Sequence, residues 1–415
     1  MAARGAFLAL ITLLQSKNLS EGSSRIQEVP SPEKSTCAPW ERVRSRNILH
    51  LGNGDKASVL LLEFQLSNLT SSLSSFDFRT YDSEGIIFYG DIDGPGSWFL
   101  LALRQSHLEI QMSNEDGQMM LSQWGPNMSD GKWRKVSVDR NANTIEVKVD
   151  GEIVINLMHY LRTRHIPLNH TRLRIVLGDL VPDSTIHLLR PLRPALDGCM
   201  RNWSWVKKEA RALSHAMETN EHRRCFEHEE HGSYFPGFGF AQFEAPLFLK
   251  KEDNPKDGAT WGLSIEVSFR PVSATGILFA VQGQNDTTAF SLAMDQQEQA
   301  FKITLFDKQF SKEFPVDFCV GHWQSILLKL LNGQLVLETP TIQATWRVLL
   351  DDFEALKSVW FKSTTAIYIG GTPDSSMESS NFTGCLKMLL QGKQVDLELA
   401  KNKYEHIRTH SCPTQ

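Results

Sequence analysis

The chain states one pattern twice. Glu84-Gly85-Ile86-Ile87-Phe88 returns as Thr275-Gly276-Ile277-Leu278-Phe279, with the two glycines 191 positions apart. Gly131-Lys132-Trp133 returns as Gly321-His322-Trp323 at an offset of 190, and Asp197-Gly198-Cys199 as Thr383-Gly384-Cys385 at 186. Beyond each of these cysteines lies another, Cys225 at a spacing of 26 and Cys412 at 27. Landmarks repeated in one order at a nearly constant offset describe a duplicated unit. The 415 residues therefore divide into two domains, each of roughly 175–190 residues and large enough for its own core.

Charge and hydropathy narrow the setting. A net charge of −5 and a pI near 6.2 argue against a nucleic-acid partner. No window reaches the ~18–20 apolar residues of a membrane span, so no membrane insertion is expected. Met1–Arg4 is a short basic start before the apolar run Phe7–Leu14, and residues 1–22 are expected to be a secretory signal peptide. Cysteine usage agrees with a secreted, extracellular protein. The equivalent pairs Cys199-Cys225 and Cys385-Cys412 are expected to be disulfides, which persist where the compartment is oxidising. Cys37 and Cys319 have no repeat partner, and pairing with each other, linking chains and remaining thiols all stay open. N-glycosylation sequons stand at Asn68, Asn127, Asn169, Asn202, Asn285 and Asn381.

Residues 23–53, rich in Ser, Pro, Glu and Arg, are expected to be a flexible tether, 54–225 the first domain, 226–240 a linker and 241–415 the second domain. Both domains are built of short β-like runs bounded by turn residues such as Asp93-Gly94-Pro95-Gly96 and Asn141-Ala142-Asn143. Leu108–Met112 and Ile145–Val149 alternate strictly, as half-buried antiparallel strands do. Asn332-Gly333 between Ser325–Leu331 and Gln334–Leu337 is a strong hairpin signal. Only Trp205–Met217 and Asp352–Lys357 look helical. The expected fold is all-β, two antiparallel β-sandwiches in tandem.

Gly85–Gly90, Asp130-Gly131-Lys132-Trp133, the Val149-Asp150-Gly151 turn and Leu196-Asp197-Gly198-Cys199 together resemble laminin G-like domains, which are jelly-roll sandwiches. Ser74–Gly85 and the tail Glu405–Pro413 are similar to the sex hormone-binding globulin family, whose members pair two such domains. That resemblance implies a secreted carrier that buries sex steroids, androgens and possibly estrogens, inside the first sandwich, and a homodimer formed through the first domains. The protein S type shares the domain pair behind γ-carboxyglutamate and EGF modules. It implies the alternative, an adhesion or receptor-ligand module that binds an extracellular protein partner. With a single cysteine before the first domain, EGF modules, which need six, are not expected in this sequence.

By the resemblance, Ser74 would hydrogen-bond the ring-A oxygen and Asn114 the ring-D oxygen, with Phe99, Val138, Leu173, Trp205 and Val206 as apolar wall. Ser97 stands where the family usually carries an aspartate that shares the ring-D contact. Arg140 stands where a methionine usually lines the pocket. A buried, unpaired arginine is costly, so Arg140 is expected to point outward. A ligand of about 20 heavy atoms at roughly 0.5 kcal/mol per atom gives about −10 kcal/mol, or tens of nanomolar. The resemblance also implies a structural calcium held by Asp82, Glu84 and the backbone carbonyl of Ala195. The family's zinc ligands fall on Ser97, Glu115 and His170, so that type of zinc site is not expected. The second domain carries no recognisable ligand set.

Enzyme chemistry finds little footing. No Gly-x-Ser-x-Gly elbow, phosphate loop or dinucleotide fingerprint occurs. His228-Glu229-Glu230-His231 lacks the His-Glu-x-x-His spacing, and a solvated charge run is the expected state. The protein is expected to be a binding protein with no catalytic cofactor.

Overall fold

A computed structural model describes residues 44–52, 60–92, 97–114, 117–141, 144–158, 171–180, 187–249, 261–283, 287–315, 321–373, 381–404 and 406–414. The 1–22 segment, Cys37, Cys319, Glu115, Asn169, His170 and Asn285 lie outside these.

Two antiparallel sheets make the first sandwich. One has seven strands, in the order Glu152–Met158, Thr144–Val149, Arg134–Asn141, Ser74–Thr80, Gly198–Ser204, Arg44–His50 and Arg224–Phe226. The other has six, in the order Leu60–Gln65, Arg172–Leu177, Gly85–Ile92, Trp98–Arg104, His107–Ser113 and Met119–Trp124. Alternation places Ile145, Val147 and Val149 inward, as the sequence pattern requires.

The second sandwich repeats both orders. Its strands Gln343–Arg347, Gln334–Glu338, Gln324–Leu331, Gly262–Pro271, Thr383–Leu390 and Ser233–Pro236 follow the first sheet. Ala241–Glu244, Ala366–Ile369, Gly276–Gln282, Thr288–Asp295, Ala300–Leu305 and Lys308–Glu313 follow the second. The duplication read from the sequence is therefore a duplication of topology.

The repeated landmarks have local causes. A Cβ on Gly85, at φ +151°, would meet the Ala195 carbonyl at 2.6 Å, and one on Gly276, at φ +133°, the Phe382 Cα at 2.5 Å. Only glycine tolerates both the backbone conformation and that approach. Trp133 covers the guanidinium groups of Arg79 and Arg201, at 4.6 and 4.2 Å from its ring centroid, and Trp323 covers Arg270 and Lys387 in the same way. Arg79 and Arg270 reach the disulfides Cys199–Cys225 and Cys385–Cys412. Each tryptophan thus roofs a cation that packs on a cystine.

Three expectations need correction. Arg44–His50, placed within the tether, is a strand between Gly198–Ser204 and Arg224–Phe226. Its polar start hid the apolar end, where Ile48 and Leu49 are buried. Residues 226–240 are not a free linker: Glu229–His231 pairs with Ser411–Pro413, and Ser233–Pro236 with Thr383–Leu390. Tyr234 and Phe235 anchor this segment by burial. Nor is the His228–His231 run wholly solvated, since the Glu229 side chain is 2% exposed against Arg79 and Arg408. The helices form at Arg211–Thr219 and Leu350–Trp360, one shifted and one longer than the pattern indicated. Neither is long and apolar enough to cross a membrane.

Candidate functional site

The two cores differ. Phe235, Phe269, Phe279, Phe290, Phe301 and Trp360 fill the second sandwich. The first has Phe76, Phe78, Phe88 and Trp205, and beside them a cavity of about 490 Å³. Small-molecule sites span about 300–1,000 Å³.

Both sheets line this cavity. Ser74, Val138 and Ile145 come from one, Phe88, Phe99, Met112, Leu173 and Ile175 from the other, and Val206 from a turn. Of the residues singled out by sequence, Ser74, Ser97, Phe99, Val138, Leu173 and Val206 are brought together here. Trp205 stands behind the wall, fully buried, stacked on Phe76 and edge-on to Phe88. Asn114 lies outside the lining and closes a turn, donating from Nδ2 to Gln118 Oε1 and accepting at Oδ1 from Gln118 N. Its neighbour Ser113 lines the cavity instead. The missed residues Phe88, Met112, Ile145 and Ile175 read as ordinary core, because alternation marks an inward side chain without saying whether another fills the space opposite.

Ser74 is fixed from behind. Its Oγ accepts from the Val206 amide at 3.0 Å, which leaves the hydroxyl proton to donate. Val206 and Lys207 hold φ of +48° and +57° in a tight turn closed by Lys208 N donating to the Trp205 carbonyl. A β-branched residue there is strained, on the order of 1–3 kcal/mol. The carboxylate in the wall, Asp91, is neutralised by a two-pronged contact with Arg174 at 2.8 Å and accepts from Tyr89 Oη. Burial, with Asp91 beside it, pushes the Tyr89 hydroxyl far above its usual range. Arg140 is exposed and borders the cavity; Ser72 Oγ donates to its carbonyl. The walls are otherwise apolar with hydroxyls at Thr70, Ser71, Ser72, Ser74, Ser97 and Ser113.

A second constellation joins the domains. Asp197 accepts from Arg408 Nε at 2.7 Å, from the His410 and Ser411 amides at 3.0 Å, and from His50 Nε2 at 3.2 Å. Glu229 bridges Arg79 and Arg408. Burial, with Arg408 adding to it, pushes the His50 imidazole down to about 3. Asp197 is held well below the carboxylate range: burial opposes ionisation, and Arg408 and His50 outweigh it.

Asp82 and Glu84, expected to hold calcium, both lie at this end. Asp82 Oδ2 accepts from the Asp197 amide, and Glu84 Oε1 accepts from the Arg193 amide. Asp82 Oδ1 faces His410 Nδ1, a nitrogen. The acidic cluster that the fold assembles is Asp82, Glu398 and His410, without Glu84. Of the sequons, Asn68, Asn127 and Asn202 are exposed, and Asn381 is half-buried.

The Laminin G domain family matches residues 78–211 and again 269–393. The chain belongs to the laminin G domain family. Its laminin G pair is 31% identical over 376 residues to sex hormone-binding globulin of Oryctolagus cuniculus, covering 90% of this chain and 89% of that protein. It is 29% identical over 390 residues to vitamin K-dependent protein S of the same organism, covering 91% of this chain but 59% of that protein. The chain thus spans about three fifths of the protein S length. In structure it is similar to domains LG4-5 of mouse laminin alpha1, with a TM-score of 0.65, 17% identity, and coverage of 93% of this chain and 99% of that one.

Proposed function

We propose that the first sandwich reversibly binds a steroid, of the sex-hormone class, in its interior and carries it extracellularly. The observation that supports this most is the 490 Å³ cavity, apolar across both sheets, with the Ser74 proton free to donate into it. A rigid polycyclic lipid suits such a site because burial drives binding while few torsions are frozen. Ser74 donates to a ring-A carbonyl; hydroxyls at Ser97 and Ser113 meet the polar group elsewhere on the ligand. Likeness to a sex hormone-binding globulin over nearly the whole length adds to the reading. Paired cystines, exposed sequons and the basic-then-apolar start agree with secretion.

A second reading follows from the comparable likeness to protein S: recognition of a protein surface, with the cavity unused. Equilibrium dialysis against tritiated dihydrotestosterone and estradiol separates the two. Saturable binding in the nanomolar range is expected; no saturation below micromolar concentrations leaves the protein-recognition reading.

A further inference from the structure

Resting on the steroid-carrier reading, we infer that the ligand carried is an anionic conjugate, a steroid 3-sulfate ester, whose sulfate is held at the cavity mouth by Arg140. Along Arg134–Asn141, Val136 and Val138 face the interior, and Arg140 is the next residue on that face. It pairs across to Ile145 of Thr144–Val149, and both residues line the cavity. Arg140 is also exposed, so it stands where the interior opens to solvent.

Charge singles out this end of the cavity. Among the described residues that line it, only Asp91 and Arg140 have ionisable side chains. Asp91 is matched by the two-pronged contact with Arg174 at 2.8 Å. Asp139, the neighbour of Arg140, faces the other side of the strand, and its Oδ1 lies 2.7 Å from Ser72 Oγ. A neutral steroid offers the Arg140 guanidinium nothing beyond packing against its apolar stem. A sulfate offers two oxygens to the guanidinium fork, a charge-assisted and geometrically matched pair.

Register places the sulfate on ring A. Ser74 pairs with Val138, and Arg140 begins about 6.7 Å further along that strand, within reach of an arginine side chain. An ester at the ring-A oxygen that meets Ser74 therefore puts its sulfate between Ser74 and Arg140. A second hydroxyl is prepared at the same mouth. Ser71 Oγ accepts from the Leu73 amide at 3.2 Å, which leaves its proton to donate to a sulfate oxygen. Ser72 Oγ accepts from the Arg140 amide at 3.3 Å and so ties this segment to the strand that carries the arginine. The rings fill the apolar interior, while the sulfate stays at the open end and no charge is buried.

Equilibrium dialysis of the full chain tests this with tritiated estrone 3-sulfate and dehydroepiandrosterone 3-sulfate beside their unconjugated parents, at about 50 and 500 mM sodium chloride. Each sulfate is expected to bind about fivefold tighter than its parent at low salt, the upper end for an exposed ion pair, and to lose that margin at high salt. Arg140→Met is expected to cut the sulfate-to-parent affinity ratio about fivefold. Arg140→Lys, which keeps the charge but not the fork, should restore part of it. A ratio taken within one protein cancels any loss of folded material. Estrone 3-glucuronide, whose carboxylate lies a sugar ring further out, is expected to bind more weakly than the sulfate. A sulfate no tighter than its parent, a ratio unmoved by Arg140→Met, or a glucuronide preferred to the sulfate would each overturn the assignment, while saturable binding of the parents keeps the carrier reading. Failure of parents and sulfates alike to saturate sinks both.

Discussion

Single side chains settle what the cavity can hold. Ser74 accepts from the Val206 amide and so presents a proton rather than a lone pair. Ser74→Ala is therefore expected to weaken a ring-A ketone steroid by about 0.5–1.5 kcal/mol, some 2–13-fold, and to affect a phenolic A-ring less. Competitive dialysis of dihydrotestosterone against estradiol reads this directly; equal losses for both ligands would remove Ser74 from the contact. The backing turn has its own cost. Lys207 is exposed at φ +57°, a conformation glycine adopts without strain. Lys207→Gly is expected to raise the melting temperature by the equivalent of about 0.5–1 kcal/mol, leaving steroid affinity unchanged. Sequence resemblance placed Ser74, Phe99 and Val138 at the cavity but also Asn114, whose carboxamide is spent on Gln118. The local turn from Asn114 to Gln118 captured it, and residue type alone cannot foresee that.

At the level of elements, the segment from Arg408 to Pro413 does more than close a disulfide. Its strand Ser411–Pro413 pairs with Glu229–His231, and its side chains and amides enclose Asp197 of the first domain. Removing Arg408 leaves Asp197 and Glu229 buried without their shared cation. Arg408→Ala is expected to cost about 3–5 kcal/mol, measured by urea unfolding. A loss below about 1 kcal/mol would mean that water reaches these carboxylates. The sequence marked this tail only as a family-like stretch, and the strand at Arg44–His50 not at all. Both are made by pairing between segments distant in the chain, which local periodicity does not record.

The whole molecule answers to pH through the same junction. His50 is held at about 3 by burial and Arg408, against 6.5 unfolded. Between those values the unfolded chain binds the proton and the folded one does not. The His50 contribution is therefore full above pH 6.5 and falls as acid is added, by about 2 kcal/mol at pH 5; His410, which burial disfavours as a cation but Asp82 and Asp396 raise to about 11, contributes in the opposite sense, fully below pH 6.5. The depressed Asp197 acts in the same direction as His50 at lower pH. Thermal melts from pH 7.5 to 4.5 should show a smaller acid loss in His50→Gln than in the parent protein. An equal acid loss in both proteins would place His50 in contact with water.

The duplication, the all-β class and the cystine pairs were determined by the sequence itself, because glycine at a close approach, tryptophan over a cation and alternation along a strand each carry a local signature. Whether an inward residue faces another side chain or an open space was decided by tertiary structure. The second sandwich is filled by large aromatics; in the first, Val138, Ile145 and Leu173 line a cavity. Burial of apolar surface drives both arrangements alike, so hydrophobic pattern cannot tell a packed interior from a hollow one.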